Sequence, residues 1–193
     1  MAERFIGEPI LADLTDTERF CGSWALVSWE RFRDGAFLEY PLGSAPVGLL
    51  TYDPAGFMQV QMVARARSLP TFRNPRDAAH ASLRDQQPPP AQALELTRAY
   101  QSFAGYAGRF EVDEASQVIR HHLWTGIDPR LVAAVQERVY RFVDDDTLIL
   151  RIRPYPVEGV AHHDVILWRR VTAATLRDAD VDRRPISGSD VAT

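Results

Sequence analysis

From residue 22 onward the apolar residues recur at every second position in one run after another, and short polar turns separate the runs. A period of two belongs to a β-strand with one face buried, whereas an amphipathic helix repeats every three to four residues. The strand-like runs are 22–33, 47–53, 56–63, 105–113, 117–124, 136–144, 147–153 and 162–171. Between the second and third, Asp53-Pro54-Ala55-Gly56 has proline and glycine where a tight turn accepts them, which predicts a hairpin. "DEAS" at 113–116 and "DDD" at 144–146 are short polar connections of the same kind. Eight strand candidates with short turns and only one sizeable helix do not make a βαβ fold, so the reading is mainly β: a single antiparallel up-and-down barrel of eight strands or slightly more. Such a barrel is wide enough to hold one small ligand.

Two segments interrupt the pattern. "TDTE" at 15–18 has the spacing of a capping box and predicts a short helical turn ending near Gly22, after a loose arm. Residues 65–90 are polar, arginine-rich and closed by three prolines, and 91–103 then place Ala93, Leu96, Tyr100 and Phe103 at helical spacing. This helical insertion, about 75–104, is expected to cover one end of the barrel or border its mouth. The domain reading is an arm and short helix over 1–19, the barrel over 20–172, and a tail over 173–193 with few large apolar residues.

"GSW" at 22–24 opens the first strand, and "YPLGSAPVGLLTYDPAGFMQVQM", "GRFEVDEASQVIRHH", "RVYRFVDDDTLIL" and "LWRRV" follow in order. This ordered set resembles the bacterial and fungal lipocalin-like domain family over roughly residues 20–171. The resemblance implies a lipocalin-like barrel that binds small molecules, with Trp24 plugging its closed end. Some related barrels are cofactor-free cyclases or isomerases, so catalysis is one expectation among others. The chain departs from the family pattern after "HHLW", where "TGIDPRLVAAV" stands in place of an aromatic, asparagine-rich stretch.

Four of the five histidines lie in two doublets, His121-His122 and His162-His163. Adjacent strand residues face opposite sides, so each doublet sends one imidazole inward. Alternation puts His121 inward with Ile119 and Leu123, and it favours Tyr106, Gly108, Phe110 and Val112 inward in the preceding strand. Arg138, Tyr140 and Phe142 are taken as inward together, a choice the family resemblance also supports for the arginine. In the last strand the alternation leaves both faces open. The candidate catalytic set is His121 as proton carrier, Tyr140 as donor to an oxyanion, Arg138 as holder of a carboxylate or enolate, and His163 from the second doublet. Candidate ligand-binding residues are Met58, Val60, Met62, Tyr106, Phe110, Leu123, Phe142 and Trp168.

These groups suit isomerisation, cyclisation or dehydration of a largely apolar carbonyl- or carboxylate-bearing compound by an isomerase, cyclase or lyase without a cofactor. The alternative is a non-catalytic binder or carrier in which the same residues only line a cavity. A metal site from one histidine of each doublet plus Asp164 is weighed and set aside, because neither doublet places both imidazoles on one face; no metal and no cofactor are expected. The chain has no lysine, which excludes Schiff-base chemistry, and no phosphate loop, nucleophile elbow or dinucleotide fingerprint. A net charge of -4 gives no footprint for nucleic acid, and neither a signal segment nor a long apolar run points to a membrane. With Cys21 the single cysteine, a cytoplasmic protein is expected, with a small hydrophobic molecule as partner and a homodimer left open.

Overall fold

The computed structural model describes residues 14–67 and 90–173. In chain order it contains α1 (Asp16–Phe20), β1 (Gly22–Arg33), β2 (Ala36–Glu39), β3 (Val47–Tyr52), β4 (Phe57–Val63), α2 (Pro90–Gln101), β5 (Phe103–Asp113), β6 (Val118–Gly126), a 3-10 turn (Pro129–Leu131), β7 (Val135–Asp144), β8 (Thr147–Arg151), β9 (Tyr155–Val157) and β10 (Val160–Arg170). The arm before residue 14, the polar loop 68–89 and the tail beyond 173 lie outside the described residues.

All pairings are antiparallel, in the order β1, β3, β4, β5, β6, β7, β8, β10, and β10 returns to β1, which closes an 8-strand barrel. The short strands β2 and β9 are outside the expected set; they extend β1 and β10 past the closed ring. The Asp53–Gly56 turn forms as the sequence predicts: Gly56 N–H donates to the Asp53 carbonyl at 2.9 Å and Gly56 has φ +91. Glycine suits that left-handed position because it has no Cβ to clash.

Two bulges decide which residues look inward. In β1, Leu26 pairs with Trp168 and Ser28 with Leu167, so Val27 is an extra residue and is 42% exposed. An extra residue reverses the alternation. Trp24 and Leu26 therefore point inward before it, and Trp29 and Arg31 after it. In β6, Ala107 pairs with Thr125 and Gly108 with Leu123, which leaves Trp124 as the extra residue. Trp124 and Thr125 are both exposed, while Ile119, His121 and Leu123 are buried. Gly108 sits at this bulge, and any Cβ there would overlap the His122 carbonyl oxygen.

One end of the barrel is sealed. Thr15 and Glu18 form the capping box and launch α1, which delivers Phe20 into an aromatic cluster with Tyr52, Tyr140 and Phe142, with ring centroids 4.9–5.1 Å apart. Trp24, fully buried, donates from Nε1 to the Phe20 carbonyl at 2.9 Å, and the Arg170 guanidinium lies 4.1 Å over its ring. Arg170 also donates to the Arg19 and Cys21 carbonyls, tying the end of β10 to α1. Burying each of these large aromatic side chains stabilises the fold by about 2–3 kcal/mol.

Candidate functional site

At the opposite end the interior is not filled. A cavity of about 400 Å³ is walled by Trp29, Leu42, Met62, Phe103, Tyr106 and Ile166, with Tyr100 and Gln101 of α2 at its mouth. The helix thus borders the mouth rather than capping the barrel. The stretch 127–131, where the family pattern breaks, supplies Ile127, Asp128, Arg130 and Leu131 to the same rim. Arg130 is held there by its own turn, donating to Asp128 at 2.6 Å.

Arg138 is the unusual wall residue. It is 7% exposed, and its guanidinium donates only to neutral oxygens: the Glu137 carbonyl at 2.8 Å and the Gln136 side-chain oxygen at 3.3–3.4 Å. No carboxylate pairs with it among the described residues. A guanidinium does not shed its proton, and a buried cation facing only dipoles is incompletely compensated. Arg138 therefore supplies an anion-attracting charge on a wall whose other cations, Arg31 and Arg130, are paired with Glu39 and Asp128.

His121 is completely buried between two tyrosines. Its Nε2 is 2.9 Å from the Tyr52 hydroxyl and its Nδ1 3.3 Å from the Tyr106 hydroxyl. Burial, reinforced by the Arg138 charge and His122, lowers its pKa from 6.5 to about 3, so the imidazole is neutral at ordinary pH. Burial likewise holds the Tyr52 phenol well above its usual range. Tyr106 lies on the cavity wall, and His121 stands behind it.

A second polar cluster sits beside the mouth. Asp164, 2% exposed, accepts from Arg31 Nε at 2.9 Å, Arg31 Nη2 at 3.2 Å, Trp29 Nε1 at 3.0 Å and the Tyr155 hydroxyl at 3.2 Å. Arg31 reaches on to Glu39 of β2 at 2.9 Å. The bonds to Asp164 raise the pKa of Arg31 further above its ordinary value. Unlike Arg138, this cation is matched by its own carboxylates.

The candidate catalytic set does not assemble. His121 and Arg138 face inward as expected, but Tyr140 lies at the sealed end, where it donates to Asp16 at 2.6 Å and packs on Phe20. Burial and that bond push the Tyr140 phenol pKa up. His163 is on the outer face, stacked on Phe32 at 4.9 Å, because β10 turns His162, Asp164, Ile166 and Trp168 inward instead. Of the ligand-binding candidates, Met62 and Tyr106 line the cavity. Met58, Val60, Phe110, Phe142 and Trp168 belong to the core below it, and Leu123 is buried without reaching the cavity wall. The reason is depth: alternation tells which face a residue is on, but each step of two residues moves about 7 Å along the strand.

The Asp164 oxygens are taken by Arg31, Trp29 and Tyr155, and no three His, Cys, Asp or Glu side chains converge among the described residues. Tyr52, Trp29 and Arg31 were missed by the sequence reading, and Asp164 was weighed there only as a metal ligand. The first ends a strand whose alternation includes it, and the next two are hidden by the Val27 bulge. No described helix is long and apolar enough to cross a membrane.

Among solved structures the chain is similar to a redesigned beta barrel, at 8% identity and TM-score 0.37 over 81% of this chain and 95% of that one. It is also similar to a de novo designed fluorescence-activating beta barrel, at 9% identity and TM-score 0.37 over 82% and 99%. No curated protein matches. The family model described as a lipocalin-like domain matches residues 21–171, which runs from the residue before β1 to the residue after β10. The chain belongs to the lipocalin-like domain family.

Proposed function

We propose that the open half of the barrel binds a small, largely apolar molecule through a carboxylate or carbonyl oxygen, with Arg138 as the anchoring cation and Tyr106 as the second polar group. The observation that carries this reading is the buried Arg138 guanidinium on the cavity wall, hydrogen-bonded to neutral oxygens alone, while the other lining cations are paired with Glu39 and Asp128. A ligand anion would complete its compensation, while the apolar body would displace water from Trp29, Met62, Phe103 and Ile166. The family, whose fold suits small-molecule binding, is consistent with this.

The test is a matched pair of probes, dodecanoate and 1-dodecanol, titrated calorimetrically. Dodecanoate should bind at least about tenfold more tightly, and Arg138→Gln should remove most of that gap. Equal affinity for acid and alcohol in the native protein would contradict the reading.

A second reading, cofactor-free acid–base turnover such as isomerisation, cyclisation or dehydration, is favoured by the Tyr52–His121–Tyr106 chain ending at the cavity wall. With a pKa of about 3 the imidazole is a weak base, so Tyr106 would be the group that meets the substrate. A compound recovered from protein purified from its own host should then change mass on incubation, and Tyr106→Phe should abolish the change. Recovery of the compound unaltered by the native protein would eliminate turnover.

A further inference from the structure

The tyrosine–histidine–tyrosine chain contains more information than its distances. A neutral imidazole carries one N–H and one lone pair, and the two possible placements of that proton have different consequences for its neighbours. In one, Nε2–H donates to Tyr52. The Tyr52 hydroxyl proton is then left without an acceptor, because His121 is its single hydrogen-bond partner among the described residues and Tyr52 is 1% exposed. An orphaned buried donor costs about 1–3 kcal/mol. In the other, the Tyr52 hydroxyl donates to Nε2, and Nδ1–H donates to the Tyr106 oxygen. Every donor is then satisfied except the Tyr106 hydroxyl proton. That proton has no acceptor among the described residues, and Tyr106 lies on the cavity wall.

We infer that Tyr52 and His121 act as positioning residues that fix the Tyr106 hydroxyl as a hydrogen-bond donor to whatever occupies the cavity. The site then presents two donors, Tyr106 and Arg138, and no acceptor from this chain of groups. It selects ligands by an acceptor oxygen, a carboxylate, ketone or enolate, and disfavours an amine or ammonium at the same position. This rests on the binding reading above and narrows it to the polarity of the ligand's head group. Because His121 is fully buried and shielded from protonation, the polarity is the same across neutral and mildly acidic pH.

The proton placement can be read directly in the ligand-free protein. Long-range ¹H–¹⁵N correlation of histidine-labelled protein, with the His121 signals assigned by their loss in His121→Gln, distinguishes the two tautomers. The expected pattern is a protonated Nδ1 and an unprotonated Nε2, unchanged from about pH 8 to pH 5 given the lowered pKa. Free neutral imidazole favours the opposite tautomer, so the expected pattern does not arise by default. A protonated Nε2, alone or together with Nδ1, overturns the inference and leaves the binding reading standing. In a second arm, Tyr106→Phe should weaken dodecanoate about fivefold or more, the loss of one hydrogen bond to a charged group. An unchanged Kd would overturn the donor role. If the native protein fails to bind dodecanoate, the binding reading falls, while the tautomer measurement still decides the polarity.

Discussion

The same strands build two halves of the barrel that differ in nearly every physical respect. β1 gives Trp24 and Leu26 to the sealed half and Trp29 and Arg31 to the open half; β7 gives Phe142 and Tyr140 to the first and Arg138 to the second. Below, Phe20, Tyr140 and Phe142 meet edge to face or tilted, Tyr140 donates to Asp16, and Trp24 donates to the Phe20 carbonyl. Above, the inward positions carry arginines, a buried aspartate and a hydroxyl around empty volume. Close packing fills one half and a lined cavity occupies the other, and a step of two residues along a strand is enough to cross between them.

The comparison can be broken in three places. The largest effect is expected at Asp164, whose removal strips the compensation from Arg31 and orphans Trp29 and Tyr155. Asp164→Ala should cost about 3–5 kcal/mol in urea unfolding. Glu39→Ala, at the half-exposed end of the same network, should cost under about 1 kcal/mol. Equal losses would show that the buried carboxylate does not organise the mouth.

His121 marks the boundary between the halves, and its effect depends on pH. Its folded pKa lies below the unfolded value of 6.5, so the unfolded chain takes up the proton first. The stability contribution is complete above 6.5 and is lost as pH falls from 6.5 toward about 3. Comparing the native protein with His121→Gln, the native chain should lose about 1 kcal/mol more per pH unit in the upper part of that window. Parallel slopes would mean that the imidazole protonates in place.

In the sealed half the expected effect is smaller than that of Asp164→Ala. Tyr140→Phe removes the bond to Asp16 and keeps the ring against Phe20, so it should cost about 1–2 kcal/mol by chemical denaturation. Dodecanoate binding should not change. A binding defect would move Tyr140 back into the site.

Much of the barrel was legible because period-two patterning and turn chemistry act locally: β1 spans the expected 22–33, and the Asp53–Gly56 hairpin and the Thr15 capping box form where the residues predict. Inward His121 and Arg138 follow from the same logic. The site was less legible for two reasons. The Val27 bulge reverses the alternation of β1, which no local pattern announces, and so hides Trp29 and Arg31. Depth along a strand depends on tertiary closure, so Tyr140 and Arg138, sharing a face, were placed together when one belongs to the floor and the other to the cavity. The second histidine doublet was ambiguous by its own alternation, and the Asp164 network decides it by turning the even-numbered residues of β10 inward.

The central claim is that the open half recognises an anion through Arg138, and the most direct measurement is a fluorescence titration with 1-anilinonaphthalene-8-sulfonate, an apolar anion that brightens in a dry cavity. Native protein, Arg138→Gln and Tyr140→Phe should be compared at one ionic strength. Arg138→Gln should raise Kd by about tenfold or more, while Tyr140→Phe stays within about twofold of the native value. An Arg138→Gln protein that binds the probe as tightly as the native chain would contradict the account.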